Sequence, residues 1–238
     1  MILRGQLIVF EAGDGSGKAT QTRKLFERLA TASDRAVHKI SFPDYQAASS
    51  ALIKMYLCGE FGTHADDVDA YAASTFYAVD RYASFKTHWK KFYDAGDIII
   101  ADRYVTSNMV HQAVKLNDPI ERKNFLTWLD DFEYEKLKLP RPDLVIFLDM
   151  PPSITEKFIA ERSQKDIHEA DKEYLRRCYQ EYKELAAQYH WTVINCAVDN
   201  APRGIDDIAE DVFSVVNEVL SNEEKFIGGI VCGVDGDR

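Results

Sequence analysis

The feature that most constrains this chain is a glycine-rich turn at residues 12–20. An apolar, β-branched run at residues 6–10 precedes the turn, and residues 22–30 after it carry apolar side chains at helical spacing. A glycine-rich turn between a strand and a helix is the context that a phosphate-binding loop requires. Glycines let backbone N–H groups converge on an anion, and Lys18 adds a mobile positive charge at the helix N-terminus. The segment therefore predicts a nucleotide-phosphate site.

The loop departs from the usual pattern, Gly-x4-Gly-Lys-[Ser/Thr], at two positions. Ala12 occupies the first glycine position, and Ala19 occupies the hydroxyl position after Lys18. A glycine-rich turn that binds nothing is the alternative interpretation. The lysine after three alternating glycines disfavours that alternative, because it has no obvious structural use. The residues expected to hold the phosphates are Gly13, Asp14, Gly15, Ser16, Gly17, Lys18, Ala19 and Thr20.

Size and charge narrow the class of protein. The chain has 238 residues, enough for one substantial core, and a net charge of −10. That charge disfavours a general nucleic-acid or membrane-surface binder. The four cysteines lack metal-ligand spacing, the N-terminus has no leader pattern, and no apolar run approaches the length of a membrane span. We therefore expect a single α/β domain in the cytoplasm, without nucleic-acid or membrane partners.

Apolar strands and helices alternate along the chain. We expect strands at residues 6–10, 37–42, 97–102, 143–149 and 192–198. We expect helices at residues 22–30, 47–57, 66–93, 106–114, 120–138, 153–161, 172–189 and 205–220. This order predicts a parallel sheet with helices on both faces and a ligand crevice at the carboxyl ends of its strands. The predicted domain spans residues 1–221, with a small lid at about 153–171 and a flexible tail at 222–238.

Several polar residues follow the predicted strands and would surround that crevice. Asp102 and Arg103 end the third strand, where a carboxylate can hold magnesium and a guanidinium can grip a phosphoryl group. An ordinary salt bridge is the alternative for this pair. In the charged stretch after the fourth strand, Arg162 and Lys165 belong either to a solvated face or to a mobile cover that brings a cation to the phosphates.

A second pair lies on the long predicted helix. Tyr77 and Arg81 are four residues apart and therefore share one helix face. An aromatic plane beside a guanidinium suits a flat base with carbonyl oxygens. A core aromatic with a surface arginine would produce the same pattern, so both interpretations stay open.

Together these motifs resemble the thymidylate kinases. The phosphate loop, Phe-Pro-acid at 42–44, Phe-Tyr-Ala-Val-Asp-Arg at 76–81 and Asp-Arg-Tyr-x2-Ser-x4-Gln at 102–112 occur in that family's order and spacing. The likeness covers about residues 5–215. It implies a single-domain P-loop fold with a five-stranded parallel sheet. It also implies transfer of the γ-phosphoryl group of ATP to thymidine monophosphate (dTMP), with Mg²⁺, by a homodimer.

The resemblance also implies roles for individual residues. Lys18 would bridge the β- and γ-phosphates of ATP, and Arg103 would hold the acceptor phosphate. Asp14 would lie between the loop and the acceptor sugar, and Arg162 would be the lid cation. Asp102 is the expected magnesium residue.

The implied acceptor pocket contains nine residues. Tyr77 would stack on the thymine, Arg81 would read a base carbonyl and Gln112 would face the pyrimidine edge. His111 stands where an aromatic ring packs against the sugar. The full predicted set is Asp14, Phe42, Tyr45, Tyr77, Arg81, Arg103, Ser107, His111 and Gln112.

Three positions differ from the family pattern and leave alternatives for the activity. Ala19 lacks the hydroxyl that reaches magnesium, Tyr45 replaces an arginine that some members direct onto the acceptor phosphate, and Ala12 replaces a glycine. Loss of a charged hydrogen bond to that phosphate costs about 1.5–3 kcal/mol. A deoxynucleoside kinase is therefore one alternative, and a non-catalytic nucleotide-binding regulatory protein is another.

Overall fold

Five parallel strands form the central sheet of the computed structural model, which describes residues 4–160 and 166–231. The strands lie in the order β2-β3-β1-β4-β5. Because β1 is central, the chain segment after it emerges in the middle of the sheet edge. The strands are β1 (Gln6–Glu11), β2 (Val37–Ser41), β3 (Ile98–Asp102), β4 (Leu144–Asp149) and β5 (Thr192–Asn195).

Helices cover both faces of this sheet. On one face, Leu25 and Val212 of the first and last helices pack with Ile8 of β1. On the other, Phe125 and Tyr182 pack with Val9. Successive residues of β1 thus feed opposite cores, as the alternation of side chains along a strand requires. The helices are α1 (Lys18–Ala32), α2 (Ala51–Leu57), α3 (Ala70–Ser84), α4 (Lys90–Ala95), α5 (Val105–His111), α6 (Pro119–Asp130), α7 (Pro152–Ala160), α8 (Ile167–Ala170), α9 (Lys172–Gln188) and α10 (Ile205–Val231).

The predicted helix at 66–93 is divided at its start. A 3₁₀ turn, Ala65–Asp67, comes first, and α3 begins only at Ala70. The side chain of Asp69 accepts hydrogen bonds from the backbone N–H groups of Tyr71 and Ala72. This N-cap sets the start of the helix, because it satisfies donors that have no partner within the helix.

Two of the long helices contain π-helical turns that periodicity does not predict. The turn Phe85–Trp89 joins α3 to α4, and Asp131–Lys136 continues α6. Each is a widened turn that changes the direction of the side chains after it. The second one becomes important for the site.

The predicted fifth strand at 192–198 is too long. Strand β5 ends at Asn195, and residues Ala197–Val198 form an antiparallel ladder, β6, with Ala201–Pro202, β7. Asp199 and Asn200 between them have φ angles of 49° and 62°. Left-handed residues at both central positions are typical of a tight hairpin turn, which Asp and Asn tolerate, so the chain leaves the sheet early.

The structure differs from the sequence-based expectation in the last helix and in the lid region. Helix α10 begins at Ile205 as expected but continues to Val231, beyond the predicted end at residue 220. The short helix α8, which falls within the predicted lid range, was not predicted. Residues 161–165 and 232–238 lie outside the described part, so the lid boundaries and the flexible tail stay predictions. None of the helices within the described residues is sufficiently long and apolar to cross a membrane.

Because helices cover both faces of the sheet, removing a side chain should destabilise the protein more in a central strand than in an edge strand. Ile100 in β3 is fully buried, whereas Val193 in the edge strand β5 is 49% exposed. We expect Ile100→Ala to lower the free energy of unfolding by about 2–5 kcal/mol, because the cavity it leaves lies between the sheet and the layer formed by α1 and α10. Val193→Ala, the control, should cost less than about 1 kcal/mol. Urea unfolding measures both, and equal costs would contradict the described burial.

Candidate active site

The turn between β1 and α1 has the backbone conformation of an anion-binding loop. Gly15 and Gly17 adopt left-handed φ angles of 77° and 79°, and Gly17 caps α1. Such residues turn successive N–H groups toward one point in front of the helix N-terminus. Ala12 is fully buried in the core and does not have a positive φ angle, so alanine is accommodated there without backbone strain.

Two side chains of the loop have polar groups available to a ligand. The buried Ser16 hydroxyl has no hydrogen-bond partner among the described residues. Lys18 forms an ion pair with Asp102 at the end of β3. Burial, together with the charge of Arg103, lowers the pKa of Lys18. Both effects disfavour the charged ammonium, and an anion in the loop would oppose them.

Arg103 is the second cation of the site and is held from several sides. Its φ angle is 69°, an uncommon conformation for a residue with a side chain. Nη2 donates to Asp14 at 2.7 Å, and Nη1 donates to the Tyr182 hydroxyl at 3.0 Å. Nη1 also lies 3.3 Å from Ser107 Oγ and from His111 Nε2. The guanidinium is therefore oriented beside the phosphate loop.

Opposing effects set the charge of Asp14. Burial would raise its pKa, but nearby positive charges, above all Arg103, outweigh burial and bring the pKa to about 2. Asp14 is consequently a carboxylate near neutral pH. Its hydrogen bond holds Arg103 in place and also uses a donor that could otherwise bind a phosphate.

Glu11 supports the arrangement of Arg103 and Asp14 beside the loop. Sequence reasoning did not assign a role to this residue. Its fully buried carboxylate accepts from Thr106 Oγ1 at 2.6 Å, Ser107 Oγ at 2.7 Å and Tyr182 OH at 3.1 Å. The backbone N–H of Tyr104 donates to it at 3.3 Å. One carboxylate thus joins β1, the start of α5 and α9. The available signal was an acidic residue that ends an apolar strand.

A cavity opens beside Arg103. It contains every residue of the predicted acceptor pocket, which comes from four separate parts of the chain. These residues are Asp14, Phe42, Tyr45, Tyr77, Arg81, Arg103, Ser107, His111 and Gln112. The structure therefore brings the nine together, although their roles toward a ligand stay predictions.

The wall of the cavity includes buried polar groups. Gln112 is fully buried, and neither its amide oxygen nor its amide nitrogen has a hydrogen-bond partner in the described part of the chain. An unpaired buried amide costs about 1–3 kcal/mol, which a ligand with matching groups would recover. Arg81 nearby is only 1% exposed and forms an ion pair with Glu133. It is therefore not the surface arginine of the alternative interpretation.

The lid side of the cavity contains two residues that sequence reasoning missed, Asp166 and His168. Asp166 caps α8, and burial raises its pKa. His168 Nε2 lies 2.9 Å from the Tyr56 hydroxyl, to which Lys115 donates at 3.0 Å. These contacts connect α8 to α2. No sequence pattern indicates this pairing, since the residues are far apart in the chain.

The chain also matches a family of known proteins. The family model for thymidylate kinase matches residues 10–202. The chain belongs to the thymidylate kinase family. This confirms the resemblance on the motifs and agrees with the single-domain P-loop fold, whose five-stranded parallel sheet and flanking helices are described above.

Individual thymidylate kinases are similar over most of the chain. The thymidylate kinase of Mycobacterium tuberculosis is 32% identical over 203 residues, which cover 81% of this chain and 92% of that relative. The Ligilactobacillus salivarius thymidylate kinase is 26% identical, covering 92% and 100%. The human thymidylate kinase is 28% identical, covering 88% of each.

Two of the predicted thymidylate kinase residues were not assigned to the acceptor pocket. Asp102, the predicted magnesium residue, pairs with Lys18. Arg162, the predicted lid cation, lies outside the described residues. Asn108, one residue after Ser107, lines the cavity and was not predicted, although its place within the Asp-Arg-Tyr motif was a usable signal.

The buried histidine of the lid segment predicts a pH-dependent stability. Burial, with the charge of Lys115, lowers the pKa of His168 to about 3. The unfolded chain binds a proton at this residue below about pH 6.5, and the folded chain does not, so stability is lost as the pH falls below 6.5. His168→Gln can still hydrogen-bond with Tyr56 but cannot titrate. Between pH 7 and pH 5 we expect it to lose about 2 kcal/mol less than wild type.

Urea unfolding at both pH values measures this difference. The control is His88→Gln, because His88 is exposed on the π turn between α3 and α4. It should follow the wild-type pH dependence. Identical losses for His168→Gln and wild type would show that His168 is protonated in the folded protein.

Proposed function

We propose that this chain transfers the γ-phosphoryl group of ATP to dTMP. An oxygen of the dTMP phosphate attacks the γ-phosphorus, the bond to the β-phosphate oxygen breaks, and ADP and dTDP are formed. One observation carries this proposal. The cavity with the predicted acceptor residues is lined both by a guanidinium that contacts Asp14 of the phosphate loop and by a buried amide without a partner among the described residues. A pyrimidine nucleotide likewise combines a charged phosphate with a hydrogen-bonding base.

The donor end depends on charge. Lys18 would leave Asp102 to bind the β- and γ-phosphates of ATP, while the N–H groups of the loop hold the remaining oxygens. Phosphoryl transfer requires in-line positioning and neutralisation of charge, and it needs no protein nucleophile. Arg162 remains the proposed lid cation, since the resemblance carries it and nothing else tests it.

The acceptor end combines a phosphate grip with base contacts. Arg103 would exchange part of its contact with Asp14 for the dTMP phosphate, since a planar fork can bind both oxyanions. Tyr77 would stack on the thymine, Gln112 would pair with the pyrimidine edge, and Arg81 would donate to the carbonyl at position 4. These roles rest on the family resemblance and on the position of all four residues in one cavity.

The residues beside Lys18 fit a magnesium ion that keeps most of its water. Within the described residues no group of three or more His, Cys, Asp or Glu side chains could hold a metal, so the ion would depend on phosphate oxygens, water and Asp102. Ala19 is exposed and lacks a ligand oxygen, which leaves space for water there. Magnesium bound in this way would neutralise charge on the transferred phosphoryl group.

The family resemblance also supports a homodimer that acts in the cytoplasm, and we include both in the proposal. Sedimentation of the purified chain tests the dimer.

The acceptor is tested with ATP, magnesium and a panel of nucleosides and monophosphates. We expect dTMP to be phosphorylated with a kcat/KM at least about tenfold above that of deoxycytidine monophosphate, because an amino group at position 4 would face the donors of Arg81. Coupled detection of ADP gives the rates. Comparable rates for the two monophosphates would contradict the base contacts.

The same panel separates the alternatives. Turnover of thymidine but not of dTMP would indicate a deoxynucleoside kinase. Nucleotide binding without any turnover would indicate the regulatory protein instead.

The missing hydroxyl in the loop predicts a raised magnesium requirement. Ala19→Ser would add the oxygen that phosphate loops normally give to magnesium, so the concentration of free magnesium at half-maximal rate should fall about threefold or more. The KM for dTMP should stay within about twofold, because the substitution lies at the donor end. Ala30→Ser, on an exposed position of α1, is the control. Unchanged magnesium dependence in Ala19→Ser would mean that another oxygen already fills the role.

A further inference from the structure

A fully buried acidic residue, Glu133, lies behind the base end of the cavity. It belongs to the π turn Asp131–Lys136 that continues α6, and it has no exposed surface. Neither the motifs nor the proposed phosphoryl transfer uses it. A buried carboxylate is expensive unless it is paired and hydrogen-bonded, so its partners indicate what it does.

The main partner of Glu133 is Arg81. Glu133 Oε2 accepts from Arg81 Nε at 2.7 Å, and Oε1 accepts from Nη2 in a second, parallel bond. This two-point contact fixes both the position of the guanidinium and the direction of its plane. The remaining nitrogen, Nη1, makes only a long contact of 3.4 Å with the carbonyl oxygen of Tyr104. The fork is therefore held along one edge, and its other edge can donate into the cavity.

The second partner of Glu133 is Asn108. Its Nδ2 lies 3.4 Å from Glu133 Oε1 and donates to the carbonyl oxygen of Ser74 at 3.2 Å. Because both hydrogens of the amide group point at acceptors, the amide oxygen is left on the opposite side. Arg81 and Asn108 both line the cavity, and one carboxylate orients both.

The carboxylate belongs to a π turn that lies behind two residues of the cavity wall, Arg81 and Asn108. Within it, Leu137 N bonds to Phe132 O at 2.9 Å, a span of five residues instead of the four of an α-helix. The wider turn rotates the side chains that follow relative to a regular helix. π turns of this kind occur frequently at functional sites, where they re-aim a side chain.

We infer that Glu133 is a positioning residue that sets the selectivity for the acceptor base, by holding Arg81 and Asn108 in their orientations. The inference rests on the proposed function, because it takes Arg81 as the residue that reads position 4 of the pyrimidine. When the Arg81 guanidinium is held in one orientation, its N–H donors always face position 4 of the base. A carbonyl there can accept these hydrogen bonds, whereas an amino group cannot. A guanidinium that is free to turn discriminates less between the two.

The test compares Glu133→Gln with a matched control, Glu181→Gln. Glu181 is also buried, with 4% of its surface exposed, and it does not line the cavity. Its carboxylate accepts a hydrogen bond of 3.0 Å from Arg122. Each variant removes the charge of a buried carboxylate that is paired with an arginine, so both should lower the melting temperature. Only Glu133→Gln should affect the acceptor.

Two readouts separate positioning from stability. In titration calorimetry without ATP, Glu133→Gln should bind dTMP about tenfold more weakly than wild type, which corresponds to about 1.4 kcal/mol. In steady-state kinetics, the kcat/KM for dTMP relative to that for 5-methyldeoxycytidine monophosphate should fall about tenfold, because the two differ only in the group at position 4 and in the proton on the adjacent N3. The KM for ATP should stay within about twofold.

Several results would overturn the inference. It is wrong if Glu133→Gln matches Glu181→Gln in dTMP affinity and in selectivity. If Glu133→Gln does not fold, Glu133→Asp replaces it. Aspartate keeps the charge but shortens the reach, so a smaller change in the same direction is expected, and wild-type affinity and selectivity would refute positioning.

The proposed function can fail separately. A wild-type chain that binds dTMP but phosphorylates nothing contradicts the kinase proposal, and the calorimetric comparison still decides the role of Glu133. A wild-type chain that binds no pyrimidine monophosphate overturns both.

Discussion

The buried carboxylate of Glu11 is the contact on which the arrangement of the site depends. It stands where β1 passes into the phosphate loop, and its hydrogen bonds come from the start of α5 and from Tyr182 on α9. A charge at this depth is tolerated only with a full set of donors, so the three elements must meet in one register. Arg103 Nη1 lies 3.8 Å from Oε2 of the same carboxylate, so the position of Arg103 depends on that network.

The two cations beside the loop are already neutralised by the protein. Lys18 is paired with Asp102, and Arg103 with Asp14, in a chain whose net charge is −10. Without these partners the two buried cations would repel each other, and Lys18 would shift further toward its neutral form. Phosphate groups therefore replace carboxylates as partners instead of meeting bare charges. This exchange lowers the affinity for any single anion and favours ligands that engage both cations at once.

The acceptor cavity is built on the same principle of held polar groups. Its donors and acceptors come from α3, α5 and α8, and buried partners such as Glu133 and Tyr56 fix several of them. Gln112 is the exception, because both ends of its amide lack a partner within the described chain. A rigid site with one unsatisfied group selects by the penalty for a mismatch more than by the strength of its contacts.

Local chemistry and periodicity determined much of this protein. Apolar runs indicated all five strands of the sheet, the spacing around Lys18 indicated the loop, and the motifs indicated nine residues that share one cavity. These features depend on neighbouring residues or on period, which a sequence displays directly. Tertiary structure decided the rest. The pairing of Glu133 with Arg81 spans 52 residues, and that of Tyr56 with His168 spans 112. No local pattern encodes such contacts, because the packing of helices against the sheet decides which distant side chains meet.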